Sequence, residues 1–253
     1  MTSRKPIRTT IQRALTMDRA ELVWRSRTGL RIAADRAKAT LRRPRWQRSD
    51  FARVIPGSGE FRAMRRLAER GDWSRLHREL TQYFTTEPPR FVIGPTLREA
   101  TAARIIARFP DSRRDAAARA DRIVAGEYDL LGYRHLRFQA ASSGIDWQYD
   151  PVHERHAPDG FWSTIPYLDP SCGDHKVIWE LNRHQHWMAV GRAYWLTGDP
   201  RYRGRMLMEL TSWLEANPPL VGINWSSMLE LAFRTISWLW ALNMFAGDRK
   251  SVV

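Results

Sequence analysis

Hydrophobic and polar positions recur with helical spacing over most of the chain, and no run shows the sustained period of two expected of a half-buried strand. The pattern is densest in residues 173–187, GDHKVIWELNRHQHW. Asp174 suits an N-cap, and no proline or glycine follows before Gly191, so one long helix is predicted to start here. At about 100° per residue, Lys176, Glu180, Arg183 and Trp187 share an arc of roughly 60°. Val177, Ile178, Leu181 and Met188 crowd the neighbouring arc, which can face a core. The polar arc has two readings. It is a solvated stripe tied by Lys176–Glu180 and Glu180–Arg183 pairs, each worth about 0.2–0.5 kcal/mol, or it lines a cleft.

The flanking pattern predicts further helices. Residues 10–41 read as a basic amphipathic helix, with Ile11, Leu15, Leu22, Leu30 and Ile32 among arginines, and its apolar positions are expected to pack on the rest of the protein, with membrane or RNA contact as the alternative. A connector at 44–59 leads to short helices at 60–70 and 72–84, then a proline-rich break at 87–95 and a helical pair at 96–109 and 113–125. Residues 128–138 and 145–170 form a long aromatic stretch without helical periodicity, and a loop of that length in a compact domain usually carries function. Thr197-Gly198-Asp199-Pro200 closes the central helix and opens another at 201–216. Asn217-Pro218-Pro219 stops that one, and a last helix is expected at 225–245, with Ser227 and Glu230 at capping-box spacing. Long helices joined by short loops predict an all-α fold of antiparallel hairpins. The N-terminal 1–95 form a basic helical segment ahead of the main helical unit.

Composition narrows the class. With 43% hydrophobic residues and 12 Trp among 253 residues, the chain can bury a sizeable aromatic core. The single Cys172 excludes an internal disulfide and a cysteine-rich zinc site. His153 and His156 lie in the aromatic stretch without an HExxH arrangement, and His184 and His186 point to nearly opposite sides of a helix, so no metal or cofactor is expected. The N-terminus lacks the apolar run of a recognisable signal peptide, which leaves the compartment open. Glu230 and Arg234 argue against a membrane span in the most apolar helix.

The net charge of +14 is lopsided. Residues 1–125 hold 29 Lys and Arg against 13 Asp and Glu, while 126–253 hold 12 against 14. A basic face of this kind can hold nucleic acid, anionic lipid or acidic polysaccharide, and charge alone does not choose.

A second polar island, Gly222-Ile223-Asn224-Trp225 followed by Glu230 and Arg234, stands in an apolar background. Locally, Asn224 could be a cap or turn residue and Glu230 a capping acid. Taken in order, DHKVIWELNRHQHW, TGDPRY, SWLEANPP and GINWSSMLELAFR resemble the N-terminal helical domain of the heparinase II/III-like polysaccharide lyases. The resemblance is strong over residues 145–245 and weaker from Ile11 onward. It implies an incomplete (α/α) toroid over residues 96–247, followed in the family by a large β-sandwich absent from this sequence. The ending GDRKSVV resembles a translated sequencing adapter, so residues 248–253 are expected to be a non-native tail on a truncated chain.

The resemblance also implies a reaction. Such lyases cleave uronic-acid polymers by β-elimination: a base removes the C5 proton beside the C6 carboxylate, and an acid protonates the leaving glycosidic oxygen. Asn224 is implied as the group that neutralises the carboxylate, its NH2 donating without a competing charge. Arg183 and Arg234 are candidates for binding carboxylate or sulfate, with structural pairing to Glu180 and Glu230 as the alternative. Glu180 joins them at the substrate site, and Trp225, Trp187 and Trp179 could stack on sugar rings. The family's tyrosine base and a histidine are expected beyond the end of this chain, so the fragment alone is expected to be inactive. A non-catalytic carbohydrate-binding relative and a toroid glycoside hydrolase using Glu180 and Glu230 are the rival readings. Nucleic acid is a weaker one, having no motif behind it.

Overall fold

The computed structural model describes residues 17–86, 93–139, 144–166 and 168–246. The start of the expected basic helix, most of the proline-rich break and the expected non-native tail lie outside them.

Helix α1 (Arg19–Leu41) starts where the Asp18 carboxylate accepts from the Glu21 N–H at 2.7 Å. It buries no residue, and Leu22, Trp24 and Leu30 are exposed, so the expected packing on the body of the protein does not form within these residues. Helices α2 (Arg48–Val54), α3 (Arg62–Arg70) and α4 (Trp73–Thr86) close on a small core of Ile55, Met64, Ala68, Leu76 and Tyr83. Gly71 ends α3 at φ 73°, a left-handed cap that glycine adopts without Cβ strain.

The main core is built by α5 (Arg98–Arg108), α6 (Ser112–Val124), α7 (His175–Asn182), α8 (His186–Thr197), α9 (Pro200–Ala216) and α10 (Met228–Phe245). Helix α8 is its axis, packing against α5, α6, α9 and α10, and it buries Trp187, Val190, Ala193, Tyr194 and Leu196. Gly191 lets α10 come close, because a Cβ there would sit 2.3 Å from the Met244 sulfur. The caps read from the sequence do form. Asp174 accepts from the Lys176 N–H, Gly198 is left-handed at φ 76°, and Asp199 accepts from the Arg201 N–H ahead of Pro200.

Three expectations are corrected. The single helix from Asp174 is two helices, because residues 183–185 form a turn with His184 left-handed at φ 57°. No local residue breaks the helix; the cause is tertiary, since the His184 Nδ1 accepts from Trp238 Nε1 at 2.7 Å and its ring packs edge-on against Trp147 and Trp213. The aromatic stretch, expected to be irregular, contains two short antiparallel pairs: β1 (Tyr128–Leu130) with β2 (Tyr133–Leu136), and β3 (Tyr149–Asp150) with β4 (Arg155–His156). Strands of two to four residues show no alternation long enough to detect, and the fold remains all-α. Finally, the capping box at Ser227 and Glu230 does not form. Ser227 precedes α10 without a side-chain cap bond, and Glu230 is drawn to Arg183.

Helix α10 is inside out. Glu230, Arg234, Ser237, Ala241 and Phe245 face the core, while Met228, Leu229, Ile236, Leu239 and Leu242 are exposed. An exposed apolar face of this kind drives association. The 253-residue chain is expected to elute as a self-associated species in light-scattering chromatography. Leu239→Glu with Leu242→Glu should shift it toward monomer; a monodisperse wild-type monomer would refute this. No helix among the described residues is long and apolar enough to cross a membrane.

Candidate functional site

The two polar islands meet. The GINW segment is a 3-10 turn (Ile223–Trp225) that begins at Gly222, whose φ of 89° would strain any other residue. It is tied to the aromatic stretch by Gly222 N–H to Gly160 carbonyl (2.8 Å) and Trp162 N–H to Leu220 carbonyl (3.0 Å). The end of α7 packs beside it, Trp179 Nε1 donating to the Ile223 carbonyl at 3.1 Å.

One cluster is ionic. Arg183 donates from Nε and Nη2 to both oxygens of Glu230, at 2.6 and 2.8 Å, and from Nη1 to Glu180 at 2.5 Å. Glu230 is buried, whereas Glu180 and Arg183 keep partial exposure at its rim. The hydrogen bond to Glu230 leads in raising the Arg183 pKa above its ordinary value, against the opposing effect of burial. The expected Lys176–Glu180 tie is replaced by this triad as the polar arc's anchor.

Arg234 behaves differently. It is buried, donates from Nε to the Asn182 carbonyl (2.8 Å) and from Nη2 to the Asn224 carbonyl (3.1 Å), and its guanidinium lies 4.5 Å from the Trp213 ring centre. No carboxylate among the described residues forms an ion pair with it, so the expected pairing with Glu230 goes to Arg183 instead. Burial drops its pKa to about 10, with the Glu230 charge opposing. It pins the end of α7, the GINW turn and α9 together.

Asn224 has no exposure. Its Nδ2 donates to Asn217 Oδ1 at 2.8 Å and to the Trp147 carbonyl at 3.4 Å, while its own Oδ1 has no partner. Asn217 Oδ1 also accepts from Gln148 Nε2 at 2.8 Å, and the Gln148 Oε1 is likewise buried without a partner. Trp225 is half-buried, lies 5.7 Å from Trp46 and 6.1 Å from Trp213, and its Nε1 is buried without a partner. Trp187 is separated from this group. It lies in the core with its Nε1 on Glu209 at 2.6 Å, because the turn at 183–185 rotates it away from the arc of Glu180 and Arg183.

The model of the heparinase II/III N-terminus family matches residues 61–246. The chain belongs to this family. No curated protein and no solved structure matches it. Membership as a heparinase II/III N-terminal domain accounts for both islands lying within one helical unit, which the matched residues span.

Several residues of the site were not singled out from the sequence. Asn182 bonds the Trp147 and Ile178 carbonyls through Nδ2 and accepts from Trp213 Nε1 at 2.7 Å, and Asn217 and Gln148 complete the amide cluster. The signal for Asn182 was its place inside ELNRH, where an asparagine in mid-helix is unfavourable without a tertiary partner. Asn217 was read only as a helix stop. A further buried knot joins Glu209 to Tyr128, His186, Trp187 and Arg205. Among the described residues no group of three or more potential metal ligands occurs.

Proposed function

We propose that the protein takes part in β-elimination of uronic-acid-containing acidic polysaccharide, with this domain supplying part of the substrate site. The observation that carries the reading is the family match across both islands, joined to their convergence around the GINW turn. Trp225, together with Arg183 and Glu180 at the partly exposed rim, gives an acidic sugar an aromatic face and hydrogen-bonding groups.

The neutralising role of Asn224 enters with a requirement. Its NH2 is turned inward onto Asn217 and Trp147, so contact with the C6 carboxylate needs the amide released from those acceptors. Once released, its donors lower the cost of the charge that grows on the carboxylate as the C5 proton leaves. The base is a separate matter. Tyr128 is bonded to Glu209, Tyr202 to Asp121 and Tyr83 to Glu60, so these hydroxyls are engaged elsewhere. The glycoside-hydrolase reading is disfavoured because Glu180 and Glu230 are held by one guanidinium, leaving neither as a free acid or nucleophile.

The test is incubation of the 253-residue chain with alginate, heparan-type and bacterial exopolysaccharides. Affinity electrophoresis should show binding to at least one, without growth of unsaturated-uronate absorbance. Product formation would place a working base within this chain, and retardation by none of the polymers would sink the substrate reading.

A further inference from the structure

Three buried polar atoms without partners belong to adjoining residues: Gln148 Oε1, Asn224 Oδ1 and Trp225 Nε1. Gln148 and Asn224 share the Asn217 oxygen, and Trp225 follows Asn224 in the turn. Native proteins pair nearly all such groups, so two acceptors and one donor left open together mark a spot built for something else. Over it lies a segment from outside the turn. Residues 42–46, RRPRW, leave the end of α1 in neither helix nor strand. Trp46 sits 5.7 Å from the Trp225 ring and donates from Nε1 to the Asn217 carbonyl at 3.1 Å, yet it remains 46% exposed. Arg43 holds Asp159 at 2.9 Å in a pair that is open to water on both sides. Contacts of this kind are readily exchanged.

We propose that residues 42–46 are a displaceable strap over a sugar subsite, and that an acidic saccharide takes the place of Trp46 against Trp225. The ring's apolar face stacks on the Trp225 indole, against which Trp46 packs at a 44° tilt. Its hydroxyls donate to Gln148 Oε1 and Asn224 Oδ1, and a hydroxyl of the adjoining sugar accepts from the in-plane Trp225 Nε1–H, which matches the open atoms in kind. Its carboxylate replaces Asp159 on Arg43, with Arg42 and Arg45 beside it, so the strap's charge recruits the ligand that lifts the strap. This rests on the acidic-polysaccharide reading above but concerns binding alone.

The test is calorimetric titration of the 253-residue chain with uronic-acid oligosaccharides of defined length, in wild type, Trp46→Ala and Trp225→Ala, with cooperative melting as the check on folding. Removing a competing occupant raises apparent affinity, so Trp46→Ala should bind about threefold or more tighter. Trp225→Ala should bind about tenfold weaker, on the scale of one lost aromatic stacking partner. Equal weakening by both variants would make Trp46 part of the platform and overturn the strap, as would an unchanged affinity in Trp46→Ala or no binding in any variant. An equal gain for single-stranded DNA in Trp46→Ala would overturn the sugar assignment. Tighter binding by Trp46→Ala, with no unsaturated product even from the catalytically competent form that carries the base, would sink the lyase reading and leave the strap standing.

Discussion

Glu209→Ala is expected to destabilise the protein by about 3–5 kcal/mol, a large share of the roughly 5–15 kcal/mol available to a folded domain. The carboxylate is fully buried and accepts four bonds: Tyr128 Oη at 2.8 Å, Arg205 Nε at 2.6 Å, His186 Nε2 at 2.7 Å and Trp187 Nε1 at 2.6 Å. Removing it leaves a mostly buried guanidinium without its counter-charge and orphans three donors in the core beside α8. Burial alone would raise the Glu209 pKa, but His186, Arg205 and the Trp187 N–H outweigh it and bring it to about 2, from an ordinary 4.5. A folded pKa below the unfolded one means this stability is present above about pH 4.5 and is lost as pH falls toward about 2. The loss is on the order of 3 kcal/mol. Urea unfolding of wild type between about pH 6 and pH 3, which takes in the upper part of that window, should show the midpoint falling, and Glu209→Gln should be less stable but flatter with pH. A Glu209→Gln protein as stable as wild type, with the same pH slope, would show that the knot contributes nothing.

Asn224→Ala, made in the catalytically competent form of the protein, is expected to lower kcat by about 10²–10³ with little change in KM, the scale for one lost donor to developing negative charge. The alternative is a framework role. Asn217 Oδ1 and the Trp147 carbonyl keep other donors, Gln148 and Asn182, when Asn224 is removed. On that alternative Asn224→Ala costs about 1–3 kcal/mol of stability while the folded fraction keeps its turnover. Asn224→Asp sharpens the comparison. A carboxylate at this position repels the substrate's own, so the neutralising role predicts that turnover is lost even where Arg234, bonded to the Asn224 carbonyl at 3.1 Å, helps the variant to fold. Parallel melting and steady-state kinetics decide it. Full kcat per folded molecule in Asn224→Asp removes the asparagine from the chemistry.

Much of the fold was legible because it is written locally. Asp174, Gly198, Asp199-Pro200 and Asn217-Pro218 act within one turn of the helix ends they set, and those ends lie where the sequence put them. The family was legible too, since ELNRH and GINW recur as ordered words, and the matched residues include both. The site was legible as two islands but not as a geometry. That Arg183 would take Glu230 at 2.6 Å across 47 positions, and that Arg234 would be left on backbone carbonyls, depends on which turn of α10 faces α7.

The amino-acid sequence by itself thus determined the helical class, the caps that bound the long helices of the main core, the basic bias of the first half and the family. Only the tertiary structure decided the break at His184, the burial of Trp187 and Asn224, the inward polar face of α10 and the meeting of Trp46 with Trp225. The physical reason is range. Capping and periodicity are interactions between residues three or four apart, whereas stacking, ion pairing and burial join residues tens to hundreds of positions distant, and there packing overrides local preference.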